Sequence, residues 1–166
     1  SVDVRQRGVH GVQADISVRG GSFDQTLILL NGINLSDPQT GHHNFNLPVS
    51  LKNISRIEIL EGSAARVYGP NAFSGAINII TGEGEGKSLK ADVLAGQHNL
   101  QDWNVAGNLH TGKLNQFVAV NSISSNGYTD NTDFESRNVL YQGQLKTEPG
   151  KLDVQLGYTE KGFGAN

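Results

Sequence analysis

The chain has 166 residues, a formal net charge of −3 at pH 7 and no cysteine, which excludes disulfides, thiolate zinc sites and cysteine nucleophiles. Its mean hydropathy is −0.36, and its longest apolar runs fall far short of the ~20 residues that a membrane-spanning helix requires. No basic stretch marks a nucleic-acid partner. Because methionine is absent and no signal segment opens the chain, we expect a processed product or a fragment of a longer protein.

Residues 1–82 predict a compact mixed domain of strands and short helices. Four segments are rich in β-branched and aliphatic residues and end at or near a glycine, as strands do. They are residues 16–19, 26–30, 56–60 and 76–81. Two short helices are predicted as well, at residues 48–53, where proline suits the first helical position, and at residues 63–68, where Ser63 is the N-cap and Gly69 the stop.

The run from Gly82 to Ser88 is similar to a phosphate-binding loop, but its first glycine is misplaced and its two glutamates would repel a phosphate. Residues 83–87 are therefore interpreted as a flexible join between the two halves of the chain. Residues 88–166 then alternate apolar and polar side chains in five segments of roughly ten residues. Four apolar sets are Leu89, Ala91, Val93 and Ala95; Trp103, Val105, Gly107 and Leu109; Val139, Tyr141, Gly143 and Leu145; and Leu152, Val154, Leu156 and Tyr158. The remaining segment, residues 115–124, is apolar on both faces at residues 117–120, so its register stays open.

The connections between these segments differ in length. Residues 111–113 and 147–150 are tight, residues 96–101 are intermediate, and the connection from about residue 125 to residue 137 is long. Short turns at one end and longer loops at the other are typical of outer-membrane barrels. The two-residue period alone fits a soluble β-sandwich slightly better, so both interpretations are open at this point.

Motifs in the first half favour the barrel. Residues 16–35, with Arg19-Gly20 at a strand end and Asn31-Gly32 after an aliphatic strand, resemble the plug motif of TonB-dependent receptors. Residues 54–62 are similar to the family's Arg-Ile-Glu-Val strand, and residues 64–81 to its Tyr-Gly and Ile-Asn-Ile-Ile-Thr segment. The resemblance implies an α+β plug, a small mixed sheet with short helices, followed by antiparallel strands of a transmembrane β-barrel over residues 88–166.

The resemblance also implies a function. In that family an outer-membrane barrel is the pore for a scarce nutrient, a plug facing the periplasm closes it, and the inner-membrane TonB complex pulls on a segment before the plug. No such TonB box is evident in residues 1–15, and five strands are too few to close a barrel, so this chain alone is not expected to transport. The cargo stays open between siderophore, corrinoid and glycan. The alternative is a soluble β-rich ligand-binding module, and no enzyme activity is expected because no nucleophile, base and orienting group stand out together.

Charged residues around the predicted plug strands are candidates for contacts that seat the plug. They are Arg19, Arg56, Glu58, Glu61 and Arg66. The resemblance implies that buried plug arginines pair with barrel glutamates, and Arg19 matches the first of these arginines. Glu61 stands where the second is expected, and Arg66 is its candidate substitute. An ordinary ion pair inside the plug is therefore an equal alternative.

Residues 36–46 form a polar loop, which by resemblance is a plug apex that contacts the substrate. Its candidate contacts are Asp37, Gln39, His42, His43 and Asn44. Adjacent histidines usually diverge, so a metal site is disfavoured here, and for either histidine alone a plain exposed loop is the favoured interpretation.

The long connection in the second half is acidic. Its oxygen donors are Asp130, Asn131, Asp133 and Glu135. Four hard oxygen ligands within six residues suit Ca²⁺, although the glutamate that completes an EF-hand loop is missing. The cobalamin-uptake branch of the family has a comparable calcium-binding loop. A solvated acidic turn is the favoured interpretation, and calcium is the one cofactor that the sequence suggests.

Overall fold

The computed structural model describes residues 2–7, 13–35, 46–62, 68, 72–82 and 86–164. The chain divides into two compact units, one of residues 1–47 and 54–81 and the other of residues 48–53 and 82–166. Strands make up most of the described residues. In the same part of the chain, no helix has the length and apolarity needed to cross a bilayer.

The first unit contains a hairpin and a small mixed sheet. Its described strands are β1 (Val2–Arg7), β2 (Gln13–Val18), β3 (Thr26–Leu30), β4 (Ile33–Asn34), β5 (Ile54–Glu61) and β6 (Gly75–Thr81), with a 3-10 helix at Phe23–Gln25. β1 pairs with β2, and the other four strands lie in the order β4-β3-β6-β5. β3 runs parallel to β6, and its pairing with β4 is antiparallel. The predicted mixed sheet is confirmed, whereas β1 and β4 had no counterpart in the sequence interpretation.

The core of the first unit is built on β3. Every residue of β3 is buried, which agrees with its continuous apolar run, since a central strand is covered on both faces. Leu27 and Leu29 pack with Ala72 and Ala76 in one buried cluster. β5 lies at the edge of the sheet and is largely exposed, with 54% of Ile57 accessible to solvent. The sheet is therefore most tightly packed where β3 and β6 meet.

The second unit is a five-stranded antiparallel meander. Its strands are β7 (Ser88–Gly96), β8 (Leu100–Thr111), β9 (Leu114–Ser125), β10 (Phe134–Thr147) and β11 (Gly150–Phe163). Each strand pairs with its neighbours in sequence, in the order β11-β10-β9-β8-β7. Their lengths of 9 to 14 residues reach the ~9–11 residues that a tilted strand needs to cross a bilayer. The connections alternate as expected, but the loop after β9 is shorter than predicted because β10 already begins at Phe134.

The strand register aligns the predicted apolar sets across the sheet. Val93 lies opposite Trp103, and Val120 lies opposite both Val105 and Val139. Because successive side chains point to opposite faces, all of these sets share one face, which we call the apolar face. Val93 at its edge is 84% exposed. The opposite surface of the sheet is called the polar face.

The neighbouring strands also determine the orientation of β9, which the sequence left open. Val118 lies on the apolar face, opposite Tyr141, and is 44% exposed. Phe117 and Ala119 point to the polar face and are buried. Local hydrophobicity does not separate these residues, whereas the pairing with β8 and β10 does.

The helical prediction for residues 48–53 needs a correction. The structure has a 3-10 helix limited to Leu51–Asn53. Ser50 caps it, because the backbone N–H of Lys52 donates to the Ser50 hydroxyl at 3.3 Å and that of Asn53 donates to the Ser50 carbonyl at 2.9 Å. Pro48 thus precedes the helix and does not open it. The other predicted helix, residues 63–68, lies outside the described residues except for Tyr68.

Candidate functional site

The turn between β3 and β4 contains the Asn31-Gly32 pair of the first motif. Asn31 has a φ of 54° and Gly32 a φ of 81°. Two successive residues with positive φ form a type I′ turn, for which Asn-Gly is the preferred sequence. The turn places Leu30 opposite Ile33 in the antiparallel pair. The motif therefore specifies a tight reversal at the end of the buried strand.

This turn is held by β6, which contains the second motif. The Asn31 side chain accepts from the backbone N–H of Thr81 at 2.9 Å and donates to the Thr81 hydroxyl at 3.0 Å. The Asn31 backbone N–H donates to the carbonyl of Ile79 at 2.8 Å. The backbone N–H of Gly32 donates to Oδ1 of Asn78 at 2.8 Å. The two motifs that carry the resemblance are thus the two sides of one contact.

Glu58 on β5 accepts hydrogen bonds from two neighbours. Arg56 Nε donates to one carboxylate oxygen at 2.8 Å, and Asn78 Nδ2 donates to the other at 3.0 Å. The bond from Arg56, followed by that from Asn78, lowers the pKa of Glu58. Both side chains are exposed, 63% for Arg56 and 48% for Glu58, so the ion pair adds little to stability. Arg56 and Glu58 thus form an ion pair inside the first unit, the kind of contact that the sequence offered as the alternative to a seating role.

The other predicted seating residues lie near the ends of β2 and β5. Arg19 follows β2 with a φ of 55°, and its guanidinium lies beside Gly62, since a Cβ built at Gly62 would be 4.0 Å from Nη1. Glu61 is the last residue of β5 and is exposed. The structure therefore brings Arg19 next to the residue that follows Glu61. Arg66 lies outside the described residues, and the seating role stays a prediction.

A row of polar side chains crosses the polar face of the second unit. Cross-strand pairing aligns Asp92, Asn104, Asn121, Asn138 and Thr159. Asn104 Nδ2 donates to Asp92 Oδ2 at 3.2 Å, Asn138 Nδ2 donates to Asn121 Oδ1 at 3.3 Å, and Thr159 Oγ1 donates to Asn138 Oδ1 at 2.7 Å. All three asparagines of the row are buried. We call these five residues the amide row.

Sequence reasoning missed the amide row. Its available signal was an asparagine at the same polar-face position of three successive long strands, Asn104, Asn121 and Asn138. Buried amides require partners, which come partly from within the row and, for Nδ2 of Asn121, from Asp102 and the Trp103 carbonyl. The pattern becomes meaningful only when the register is known, because the local sequence around each residue is that of any polar strand position.

Two connections meet at one end of the sheet. In the turn after β7, His98 and Asn99 have φ values of 56° and 55°. The carbonyl of His98 accepts from the backbone N–H of Asn126 at 2.9 Å and from the hydroxyl of Ser125 at 3.2 Å. The rings of His98 and Tyr128 lie 4.5 Å apart between centroids, tilted by 58°, and Tyr128 is 66% exposed. This end of the meander therefore presents an ordered aromatic pair to solvent.

The predicted calcium ligands lie in and just after the loop of residues 126–133. Glu135 forms an ion pair with Arg137 on β10, and the carbonyl of Asp133 accepts from the backbone N–H of Gly164 at 2.8 Å. Asn131 has a φ of 61°. Within the described ranges, no three His, Cys, Asp or Glu side chains gather as a metal site would require. The calcium site stays a prediction, and the apex residues Asp37, Gln39, His42, His43 and Asn44 lie outside the described residues.

Comparison with known proteins agrees with this architecture. The TonB-dependent receptor plug domain family matches residues 1–76. The vitamin B12 transporter BtuB of Vibrio cholerae serotype O1 is 34% identical over 131 residues, which is 76% of this chain and 21% of that protein. The protein of the same name from Photobacterium profundum is 29% identical over 168 residues, which is 93% of this chain and 27% of that protein.

Solved structures share the fold. The copper transporter OprC has a TM-score of 0.73 at 16% identity, over 96% of this chain and 26% of that chain. The siderophore receptor PiuA from Acinetobacter baumannii has a TM-score of 0.67 at 21% identity, over 88% of this chain and 20% of that chain. At these identities the likeness concerns the fold alone.

A mixed sheet followed by long antiparallel strands with an exposed apolar face defines the class: a plug domain followed by strands that resemble those of outer-membrane receptor barrels. The chain belongs to the TonB-dependent receptor family, with residues 1–76 matching its plug domain and vitamin B12 transporters among its relatives. The family consists of receptors and transporters of the outer membrane and not of enzymes. The chain spans about a fifth to a quarter of these relatives.

Proposed function

We propose that this chain is part of a receptor that takes up a corrinoid across the outer membrane, with the plug gating the pore and the TonB complex supplying energy. The observation that carries the proposal is the 34% identity to a vitamin B12 transporter. That alignment of 131 residues is longer than the 76 residues of the plug match, so it extends into the second unit. The likeness therefore includes barrel strands as well as the plug.

The side chains of the second unit support a membrane barrel over a soluble module. The apolar face carries Val105, Val118 and Val139, each about two-fifths exposed. The polar face carries the amide row. Outward apolar and inward polar residues are the pattern of strands between lipid and a polar lumen, whereas a soluble sandwich buries its apolar face.

The proposed division is a plug of residues 1–82, a join of residues 83–87 and barrel strands from residue 88 onwards. With the plug facing the periplasm, β7 starts on that side because it follows the join. The connections after β7 and β9 then face the exterior, while the two-residue turns after β8 and β10 face the periplasm. Short periplasmic turns and longer external loops are the rule for such barrels, which supports this orientation.

The proposed cargo contacts are those of the predicted apex, residues 36–46, and the proposed seating contacts involve Arg19, Glu58, Glu61 and Arg66. A ferric siderophore is the second candidate cargo, because siderophore receptors are among the structures with the same fold. Those likenesses are below 25% identity. The corrinoid therefore ranks first.

The test uses the full-length receptor in detergent micelles. Binding of cyanocobalamin, a ferric siderophore and an oligosaccharide is measured by isothermal titration calorimetry. We expect tight binding of cyanocobalamin alone. The variant Asp37→Ala with Asn44→Ala should weaken it at least tenfold, whereas Glu148→Ala, in the turn after β10, should not. Binding of the siderophore and not of cyanocobalamin would overturn the corrinoid assignment and make a ferric siderophore the cargo.

Calcium forms a separate arm of the same test. Cyanocobalamin binding is measured with calcium and with chelator, for the parent and for Asp130→Ala with Asp133→Ala. Because the structure does not gather these carboxylates, we expect the parent and the variant to show the same calcium response. A calcium response present only in the parent would establish the acidic loop as a calcium site.

A further inference from the structure

Residues 48–53 belong to a different unit from the residues on either side of them. Residues 1–47 and 54–81 form the first unit, whereas residues 48–53 are grouped with the meander. The two parts of the first unit are therefore joined, along the chain, by a segment that the meander holds. We call residues 48–53 the anchor segment.

The strongest contact of the anchor segment is a pair of amides. Nδ2 of Asn53 donates to Oδ1 of Asn104 at 2.8 Å, and Nδ2 of Asn104 donates back to Oδ1 of Asn53 at 3.1 Å. Asn104 has an exposed fraction of 0%. Loss of either bond would leave a buried amide oxygen, that of Asn104 or of Asn53, without the hydrogen bond that it accepts, which is the costly case. The pair also ties the anchor segment to the amide row at its second member, Asn104.

Lys52 provides two further contacts with the same strands. Its Nζ lies 2.7 Å from Asp102 Oδ2, with side-chain exposures of 27% and 14% for the two residues. Asp102 also accepts from Asn121 Nδ2 at 3.0 Å, so its carboxylate is held from two sides. Lys90 Nζ on β7 donates to the Lys52 carbonyl at 3.2 Å. A partly buried, oriented ion pair loses less to solvent than an exposed one such as Arg56 with Glu58.

We propose that the anchor segment folds with β7 and β8 and stays on the meander when the first unit opens locally. Its polar contacts are buried, whereas β5, which follows it directly, is an exposed edge strand. Local opening begins where buried contacts are few, so the boundary between what moves and what stays lies between Asn53 and Ile54. The consequence of this proposal for uptake rests on the proposed function: the plug rearranges while the anchor segment stays bound to β7 and β8.

The first experiment is native-state hydrogen exchange at residue resolution on the full-length receptor in detergent micelles, with increasing urea. The amide of Asn53 reports on the anchor segment because it donates to the Ser50 carbonyl. We expect it to share the urea dependence of the β8 amides and to stay protected after the β5 amides exchange. Exchange of Asn53 together with the β5 amides would overturn the proposal.

Two variants test the contacts themselves. Asn104→Ala should speed exchange at Asn53 about tenfold or more. The matched control Asn138→Ala removes another buried amide of the row, whose described bonds stay within the sheet, and should leave exchange at Asn53 unchanged. Lys52→Met removes the ion pair without a buried vacancy, so it tests the anchor even where Asn104→Ala fails to fold. An unchanged Asn53 in Lys52→Met, or equal acceleration by Asn138→Ala, would contradict the proposal. Neither cargo nor TonB is present, so these outcomes are independent of the proposed function.

Discussion

Thr81, the last residue of β6, donates its backbone N–H to the side chain of Asn31, 50 residues earlier in the chain. The Asn31 amide donates in return to the Thr81 hydroxyl. The contact closes the parallel pairing of β3 with β6 at the end where β3 turns back. It explains in physical terms why two distant motifs occur together in one domain: each supplies what the other needs to satisfy its polar groups.

The first prediction concerns Asn31. Asn31→Ala removes the side-chain bonds to Thr81 and places a Cβ without polar compensation at positive φ, so the first unit should lose about 2–3 kcal/mol. Asn31→Gly removes the same bonds but tolerates the turn, and should lose about 1 kcal/mol less. The measurement is the urea concentration at which the β6 amides lose protection from hydrogen exchange. Equal losses in the two variants would show that backbone strain plays no part.

Glu58 gives a pH-dependent prediction. Its pKa is lowered by Arg56 first and Asn78 second, so the charged form is favoured in the folded protein. The resulting stabilisation is present above the ordinary carboxyl pKa of 4.5 and is lost as the pH falls through the lower folded value. Arg56→Gln should raise the pKa of Glu58 in a carbon-13 NMR titration. Arg5→Gln, which breaks an exposed pair with Asp3, is the control and should leave it unchanged.

The third prediction separates a lipid-facing sheet from a soluble one. Val105→Lys places a charge in the middle of the apolar face, which should cost about 2–4 kcal/mol in a bilayer and close to nothing in water. Gln144→Lys is the control, because Gln144 lies on the polar face and already donates to Asp153 at 2.8 Å. Folding of the full-length receptor into lipid vesicles is followed by its urea midpoint. Equal midpoints for the two variants would argue against lipid contact at Val105.

The sequence predicted the strands of the meander well because a two-residue period is a local property. It did not determine which face of β9 is the apolar one, since Phe117 and Val118 are both apolar. Only the pairing of β9 with β8 and β10 shows which of the two residues lies on the apolar face. The amide row was not predicted for a related reason: Asn121 and Asn138 are 17 residues apart in the chain and become neighbours only through the register of β9 and β10. The anchor segment looked like a helix of the plug, and its assignment to the meander depends on the long-range pair of Asn53 with Asn104.

The last prediction compares two glycines with positive φ. Gly127 has a φ of 80°, and a Cβ there would lie 2.5 Å from the backbone carbon and oxygen of Thr132, which cannot move away as a flexible side chain would. Gly112, in the turn after β8, has a φ of 59° and open space around the same position. Gly127→Ala should therefore shift the loop and separate Tyr128 from His98, whereas Gly112→Ala should be tolerated with only a small loss of stability.

The readout for this pair is the chemical shift of the His98 ring protons, which the nearby Tyr128 ring perturbs. We expect the shift to move towards its free value in Gly127→Ala and to stay in place in Gly112→Ala. A variant Tyr128→Leu calibrates the shift that corresponds to complete loss of the ring contact. If Gly127→Ala retained the parent shift, the loop would have absorbed the methyl group without moving Tyr128, and the aromatic pair would not depend on the tight backbone approach at Gly127.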